Sequence, residues 1–259
     1  MPTSITIILS PYHVGLHAHR VGAGPTHTLS QSLTSRLSSP GVPIHLTTLP
    51  PVDDQESEIR ALPCAPASPR IRSLSSCRGT AMDTPDTNTN GYSDAMGLSM
   101  LAGKSWKAHM RTVPGFERPA GYGKMLYVGL RDVTEGQRRT VEEAGAKVVW
   151  GGEGVEWLAE LEAGLREGNV SPSLVHLALD VLDEKVGKVN GFESPGGLSE
   201  EDLVRCMSLV PRKADVRSLT VCSFNPNMGD GDKIAGIAAR AIVAFTESLI
   251  DAGTLVKKE

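Results

Sequence analysis

Strand-like and helix-like segments alternate along most of this chain, and this alternation constrains its fold more than any other feature. Short apolar runs typical of buried strands lie at 5–9, 43–49, 125–130, 147–150, 174–181 and 219–224. Segments with amphipathic or alanine-rich patterns typical of helices lie at 135–146, 155–168, 198–210 and 232–251. Such alternation predicts an α/β fold, a mainly parallel sheet with helices on both faces.

Length, charge and cysteine usage narrow the class of protein. A chain of 259 residues with 40% hydrophobic content is sufficient for one large domain spanning 1–259. The net charge is −4 and no basic stripe is interleaved with aromatic residues, so we expect no nucleic-acid partner. The apolar run Ile5–Leu9 is too short for a signal peptide core or a membrane span, so we expect no membrane partner.

The four cysteines Cys64, Cys77, Cys206 and Cys222 are widely spaced and form no CxxC pattern. This usage favours a reduced, cytoplasmic protein. The stretch 50–95 has six prolines and no sustained period, so it is interpreted as irregular, and a segment of that length is either functional or poorly ordered. In parallel sheets ligands bind beyond the carboxyl ends of the strands, which directs attention to the loops after Val128, Leu179 and Val221.

Five segments resemble, in the same order, the arginase and agmatinase family, the ureohydrolases. They are "SPYHVGLHAHRVGAGPTHTLSQSL" with Arg20, Gly22, Gly24 and Pro25, "TPDTNTNGYSDAMGLSMLAG", "MLYVGLRDVTEGQRRTVEEAGAKVV", "VHLALDVLDEKVG" with "SPGGLSEEDL", and "VCSFNPNMGD". The resemblance implies a three-layer α/β/α sandwich of the arginase and deacetylase kind, shortened around 57–80. It also implies two manganese ions that activate a bridging hydroxide, and association into trimers or hexamers.

The metal ligands of that family are mostly replaced in this sequence. No Gly-Asp-His turn is present, and the family's Asp-x-His-x-Asp cluster falls on Cys77, Gly79 and Ala81. Asp180 matches the first acid of the family's Asp-x-Asp pair, and Ser223 stands where a further acid is expected. One ligand of six is therefore recognisable, and we expect no bound cofactor. The alternative is a single, weakly bound manganese ion.

Positions on the substrate side of the family's site also differ. Asp94 stands where arginases have a histidine that assists proton transfer, and Thr134 stands where they have an acid that meets the substrate's amino group. Asp83, Asn88 and Asn90 lie where arginases bind an amino acid's carboxylate. An acid at 83 would repel that carboxylate, so the resemblance argues against arginine as the substrate.

Asp180 and Asp183 are the weak candidates for a metal site. In extended backbone, residues i and i+3 point to opposite faces, so both side chains can bind one cation only if the loop turns. The structural alternative is that Asp180 accepts hydrogen bonds from loop amides and Asp183 caps a turn. The histidines of "HVGLHAH" (His13, His17 and His19) are interpreted as belonging to a loop at the rim of the pocket rather than to a metal site.

Three functions remain open. The first is a metal-independent enzyme that catalyses isomerisation, dehydration or cyclisation of a small molecule by acid–base chemistry. Its predicted catalytic residues are Asp94, Asp180 and Asp83, and its predicted substrate-binding residues are Asn88, Asn90, His176, Ser223 and Asn225. The second is a non-catalytic relative of the ureohydrolases that binds a ligand or a partner subunit. The third is an amidine or guanidine hydrolase with a reduced metal site.

Overall fold

Two parallel sheets and their flanking helices form the fold of the described chain. The computed structural model describes residues 2–13, 16–49, 72–76, 80–89, 93–113, 116, 119–168 and 170–257, with only the backbone at 72–76 and 93–94. The strands are β1 (Ile5–Leu9), β2 (Tyr12–His13), β3 (Leu16–His17), β4 (Ile44–Thr48), β5 (Arg72–Ser76), β6 (Met125–Leu130), β7 (Lys147–Trp150), β8 (Ser173–Ala178) and β9 (Val216–Cys222). The helices are α1 (Gly24–Ser30), α2 (Leu33–Ser38), α3 (Gly97–Leu101), α4 (Lys107–Met110), α5 (Glu135–Glu143), α6 (Trp157–Gly168), α7 (Glu200–Lys213) and α8 (Gly231–Asp251).

The larger sheet is fully parallel in the order β7-β6-β5-β8-β9, and β1 pairs with β4 in a separate parallel pair. Strands β2 and β3 form a short antiparallel hairpin. The predicted parallel α/β architecture is therefore confirmed. Because parallel strands all end at the same edge, the loops after β5, β6, β8 and β9 meet there.

Helices cover both faces of the five-stranded sheet and give the three layers. On one face α6, α7 and α8 pack on the main hydrophobic core, in which Leu177, Ile234 and Ile237 are completely buried. On the other face α3 and α5 contribute Leu98 and Val141 to a smaller cluster around the buried Tyr127. Burial of each large apolar side chain contributes about 2 kcal/mol, so this layered packing is the main source of stability.

The predicted helices form close to their expected bounds for identifiable local reasons. Ser199 is the N-cap of α7 and accepts a hydrogen bond from the backbone N–H of Asp202, as its place before two glutamates suggests. Thr134 caps α5 in a reciprocal capping box with Gln137. No helix within the described ranges is long and apolar enough to cross a membrane.

The interpretation of 50–95 as irregular is wrong at two places. Residues 72–76 form β5, which lies at the centre of the sheet between β6 and β8, and a short helical stretch begins at 93 and continues into α3. The sequence RSLSS of β5 is too polar to suggest a central strand, and pairing on both sides overrides this weak local preference. The predicted shortening concerns 57–80, of which 57–71 and 77–79 lie outside the described residues.

Candidate functional site at the carboxyl edge of the sheet

The carboxyl edge of the five-stranded sheet carries most of the residues that the sequence singles out. The chain leaves β8 through a single 3-10 turn, Leu179–Val181. This turn provides the change of direction that the side chains of Asp180 and Asp183 would need in order to bind one cation. Ser223 and Asn225 follow β9 directly. The loop after β5 includes Asp83 and Asn88. The edge therefore brings together segments that are far apart in the sequence.

Asp183 is bound to the backbone of its own loop. Its carboxylate oxygens accept hydrogen bonds from the backbone N–H groups of Lys185 at 3.0 Å, Gly196 at 2.7 Å and Gly197 at 3.1 Å. Burial acts to raise the pKa of Asp183, but these hydrogen bonds and the charge of Lys185 outweigh it, so the pKa lies below its ordinary value. Asp183 thus holds a turn, which agrees with the structural alternative for this residue.

Asp180 accepts a hydrogen bond from a side chain of the same loop. The side-chain amide of Asn190 donates to its Oδ2 atom at 3.0 Å. Asn190 also accepts, through Oδ1, a hydrogen bond from the backbone N–H of Phe192 at 2.9 Å. The carboxylate of Asp180 is therefore oriented by a side chain that is itself fixed to the loop.

Glu193 anchors the same loop and was not identified from the sequence. Its Oε1 atom accepts hydrogen bonds from the backbone N–H groups of Val189 at 2.6 Å, Asn190 at 2.9 Å and Gly191 at 2.9 Å. Burial acts to raise the pKa of Glu193, but the hydrogen bonds from Gly191, Asn190 and Val189 dominate and lower the pKa to about 2. The sequence shows only an acid two residues after Gly191, and this spacing does not distinguish Glu193 from the other acids of the chain.

Arg131 joins the loops after β6 and β8. Its side chain is 7% exposed, and its guanidinium donates hydrogen bonds of 2.9 to 3.2 Å to backbone carbonyls. The accepting carbonyls belong to Gly129, Asp180, Val181, Leu182 and Ser194. The guanidinium therefore fixes the backbone on which Asp180 sits.

Asp83 and Thr134 are neighbours through Gln137. The side-chain amide of Gln137 donates to Asp83 Oδ1 at 3.2 Å, while its Oε1 atom accepts from the backbone N–H of Thr134 at 3.0 Å. The backbone around Asp83 is also fixed, because the Ser99 hydroxyl donates to its carbonyl oxygen at 2.5 Å. The two positions expected to meet the carboxylate and the amino group of an amino-acid substrate are thus bridged by one side chain.

The remaining predicted residues are placed as follows. The backbone N–H of Asn88 donates to Thr84 O at 2.8 Å within a turn. Asn225 is 8% exposed, and its side chain accepts a hydrogen bond from the backbone N–H of Asn227 at 3.2 Å. Asn90 and the side chain of Asp94 lie outside the described residues.

His176 lies on β8 and faces β9. Its Nε2 atom is 3.3 Å from Cys222 Sγ, which in turn is 3.6 Å from Ser223 Oγ. Burial lowers the pKa of His176 below its ordinary value. The histidine is therefore part of a side-chain pair with a thiol, a partner that no local sequence pattern indicates.

The histidines of the first loop make aromatic ring contacts with neighbouring side chains. His13 and His19 stack with ring centroids 6.1 Å apart, and Tyr12 meets His17 edge-on at 5.4 Å.

A polar cleft of about 320 Å³ lies between the loop after β7 and the loop after β8, and Asp183, Lys185 and Asp202 line it. Of the predicted site residues, Asp183 borders this cleft.

The donor chemistry at the expected ligand positions does not suit two manganese ions. Ala81 has no donor atom, and Ser223 offers a neutral hydroxyl, whereas hard dications need several carboxylate or imidazole ligands. Among the described residues, no group of three or more His, Cys, Asp or Glu side chains could hold a metal ion. Cys77 and Gly79 lie outside the described residues.

Comparisons with known proteins place this geometry in a family. The chain is 27% identical over 176 residues to arginase-1 of Oryctolagus cuniculus, an alignment that covers 64% of this chain and 54% of the relative. It therefore spans about half the length of the curated relative that it matches.

Solved structures resemble the fold over nearly the whole chain. The arginase of Bacillus subtilis subsp. subtilis str. 168 superposes with a TM-score of 0.81 at 16% identity, covering 94% of this chain and 98% of that one. The formimidoylglutamase of the same organism superposes with a TM-score of 0.68 at 10% identity, covering 97% and 89%. A family model described as the Arginase family matches residues 82–247, which is more than half of the sequence, and the chain therefore belongs to the arginase family.

Proposed function

We propose that this protein is an arginase-family member that does not assemble the two-manganese centre and binds a small molecule without hydrolysing a guanidine. The observation that carries the proposal is that the carboxylates at the carboxyl edge accept hydrogen bonds from other groups of the protein. Asp183 accepts from three backbone N–H groups, Asp180 from Asn190, and Asp83 from Gln137. These carboxylates already serve as hydrogen-bond acceptors within the protein.

The backbone at two expected ligand positions supports the same proposal. Ala81 and Ser223 have φ angles of 49° and 63°, in the left-handed region that non-glycine residues rarely adopt. Such conformations cost about 1 kcal/mol or more and persist where the surrounding structure imposes them. The loops thus keep an unusual backbone shape, although the alanine methyl and the serine hydroxyl replace the family's ligands.

Acid–base catalysis without metal is the second candidate, and the contacts favour it less. A general acid needs a carboxyl group with a raised pKa, and burial without donors is the usual cause of such a shift. The carboxylates of Asp83 and Asp180 instead accept hydrogen bonds from the side-chain amides of Gln137 and Asn190, which engages them within the protein. A hydrolase with a reduced metal site ranks lower still, because it needs a ligand set that Asp180 alone cannot supply.

The ligand class follows from Asp83. This acid is half-buried and lies where the family resemblance places the carboxylate of an amino-acid substrate. A negative group there favours a ligand with a cationic group at that end and no carboxylate. Small amines and guanidino amines meet this requirement better than L-arginine or L-ornithine.

Metal binding is the first test. The full-length protein would be dialysed against manganese and its metal content measured, together with urea release from L-arginine and agmatine. We expect neither stoichiometric manganese nor urea. Close to two manganese ions per chain with urea release would overturn the proposal.

Ligand preference is the second test, and isothermal titration calorimetry with agmatine, putrescine, L-arginine and L-ornithine would measure it. We expect the two amines without a carboxylate to bind more tightly. Asp83→Asn should weaken their binding about tenfold, which corresponds to about 1.4 kcal/mol. Asp86→Asn is the matched control, because Asp86 is an exposed acid on the same loop. Equal affinities for all four compounds would contradict the assigned ligand class.

The proposal extends to association and location. The homo-oligomer is predicted from the family resemblance. The cytoplasmic location is predicted from cysteine usage. Light scattering on the purified protein would give its mass in solution, and a monomer would contradict the first of these two predictions.

A further inference from the structure

His176 and Cys222 form a side-chain pair across two neighbouring parallel strands. In the register of β8 and β9, Ala178 lies beside Cys222 and His176 beside Thr220, so all four side chains lie on the same face of the sheet. The distance of 3.3 Å between Nε2 and Sγ is within hydrogen-bond range for sulfur. The pair is separated by 46 positions in sequence and depends entirely on the sheet register.

The histidine is placed to share the thiol proton. Burial lowers the pKa of His176, which weakens it as a base but keeps the imidazole uncharged, with one nitrogen whose lone pair can accept a hydrogen bond from the thiol. When Nδ1 carries the hydrogen, Nε2 faces the thiol as an acceptor. Because the thiolate is the reactive form of cysteine, a base at this distance assists attack by the sulfur.

The surroundings of Cys222 differ from those of Cys206, the other cysteine whose side chain is described. Cys222 is half-buried, and Thr220, on the same face of β9, is exposed. Cys206 is buried within α7, and its burial, together with the charge of Asp202, raises its pKa to about 12. The same chain therefore provides a reactive candidate and an internal reference.

We propose that Cys222, assisted by His176, is a site of covalent modification by small soft electrophiles, of which α,β-unsaturated carbonyl compounds are the representative class. In the reaction the sulfur forms a bond to the β carbon, and the π electrons of the carbon–carbon double bond move to the α carbon. His176 takes the thiol proton and returns it, directly or through water, to the α carbon. No group leaves, and no oxidant or reductant is needed. This site is independent of the function proposed above.

The experiment measures the modification rate of each cysteine in the folded full-length protein with N-ethylmaleimide. Aliquots are quenched over time, digested and quantified by peptide mass spectrometry, so that Cys64, Cys77, Cys206 and Cys222 are followed separately. We expect Cys222 to be modified at least roughly 100-fold faster than Cys206, whose burial and pKa of about 12 leave little thiolate. Equal rates for these two cysteines would overturn the proposal.

His176→Gln tests the base. Glutamine keeps a polar side chain of similar length but cannot accept a proton at this pH, so the Cys222 rate should fall by roughly 100-fold, as for loss of a positioned general base. The Cys206 rate should stay unchanged, which shows that the variant remains folded. An unchanged Cys222 rate in a folded variant would overturn the role of His176. If His176→Gln does not fold, the wild-type comparison of Cys222 with Cys206 still decides whether the site is reactive.

Discussion

The loop after β8 and the paired face of β8 and β9 use polar residues in opposite ways. In the loop, Asp183 and Glu193 hydrogen-bond to the backbone and fix its shape, and Arg131 does so from the end of β6. On the strand face, His176 and Cys222 contact each other. The difference teaches that a charged residue near the carboxyl edge can serve the shape of a loop rather than a ligand, because its polar atoms are already bound to the backbone. The polar atoms of His176 and Cys222 meet each other instead, which is the basis of the reactivity proposed for that pair.

Removal of the guanidinium of Arg131 should have the largest effect on the loop. Arg131→Met keeps the buried aliphatic stem but leaves several backbone carbonyls without their donor, so we expect the free energy of unfolding to fall by about 4 kcal/mol. Urea unfolding followed by circular dichroism would measure it. Arg138→Met is the control, because Arg138 is an exposed arginine that pairs with Glu142 at 3.1 Å and lies 4.2 Å from the centre of the Trp150 ring, and its loss should cost about 1 kcal/mol. Similar losses of stability for both variants would show that the guanidinium of Arg131 supports the loop no more than an exposed ion pair does.

The next largest loss of stability is expected at Gly197, where the backbone of the same loop is closely packed. A Cβ atom at Gly197 would lie 2.5 Å from Val181 O and 2.6 Å from Asp183 N, both backbone atoms that cannot rotate away. Gly197→Ala should therefore lower stability by about 3 kcal/mol. Gly136→Ala is the matched control in α5, where the nearest atom lies 3.9 Å away, and it should raise stability by about 0.5 kcal/mol. A harmless Gly197→Ala variant would show that the loop is not held as tightly as its contacts imply.

Glu193 should contribute about 2 kcal/mol through its charge-assisted bonds to three backbone N–H groups. Glu193→Gln, examined by urea unfolding at pH 7, should lose most of this contribution, because an uncharged amide accepts these bonds more weakly. Glu184→Gln is the control, because Glu184 is an exposed acid on the same loop, and it should change stability by less than about 0.5 kcal/mol.

The pH dependence of stability should reveal the same carboxylates. Folding lowers the pKa of Glu193 from 4.5 to about 2, so the ionised group stabilises the fold fully above pH 4.5, and this contribution disappears as the pH falls toward 2. The lowered pKa of Asp183 acts in the same direction. Urea unfolding at pH 6, 4.5 and 3 should show a steep loss in the wild type and a shallower one in Glu193→Gln. Parallel profiles would mean that Glu193 is not bound as described.

The strand face should show the smallest effect on stability. Cys222→Ser replaces a half-buried thiol with a hydroxyl that can still hydrogen-bond to His176, so we expect a change of less than about 1 kcal/mol in urea unfolding. The same variant should remove the fast modification by N-ethylmaleimide. A loss as large as that of Arg131→Met would mean that the pair is a structural element, like the loop contacts.

Sequence patterns predict the architecture because the helices that pack on the sheet have strong apolar periodicity. Trp157, Leu161 and Leu165 of α6 are buried as their spacing indicates. The central strand β5 was missed because its polar sequence acquires strand structure from pairing with β6 and β8, which no local pattern records. The amide partners of Asp180 and Asp83 and the contact between His176 and Cys222 also depend on register and loop shape. The parallel-sheet rule and the family resemblance predict that these segments meet at one edge, but they do not predict which side chains contact each other there.

Helix α8 packs against both sheets, and this has a consequence for the order in which the protein folds. Ile7 and Ile44 of the β1–β4 pair lie beside α2 and the outer side of α8, while Ile234 and Phe245 of α8 complete the main core. Most of the described sequence separates β1 and β4 from this helix, so their contacts have high sequence separation and form slowly. During synthesis the inner face of the first strand pair therefore remains exposed to solvent until α8 has been made, and we expect the nascent chain to expose apolar surface for longer than a fold assembled from local contacts.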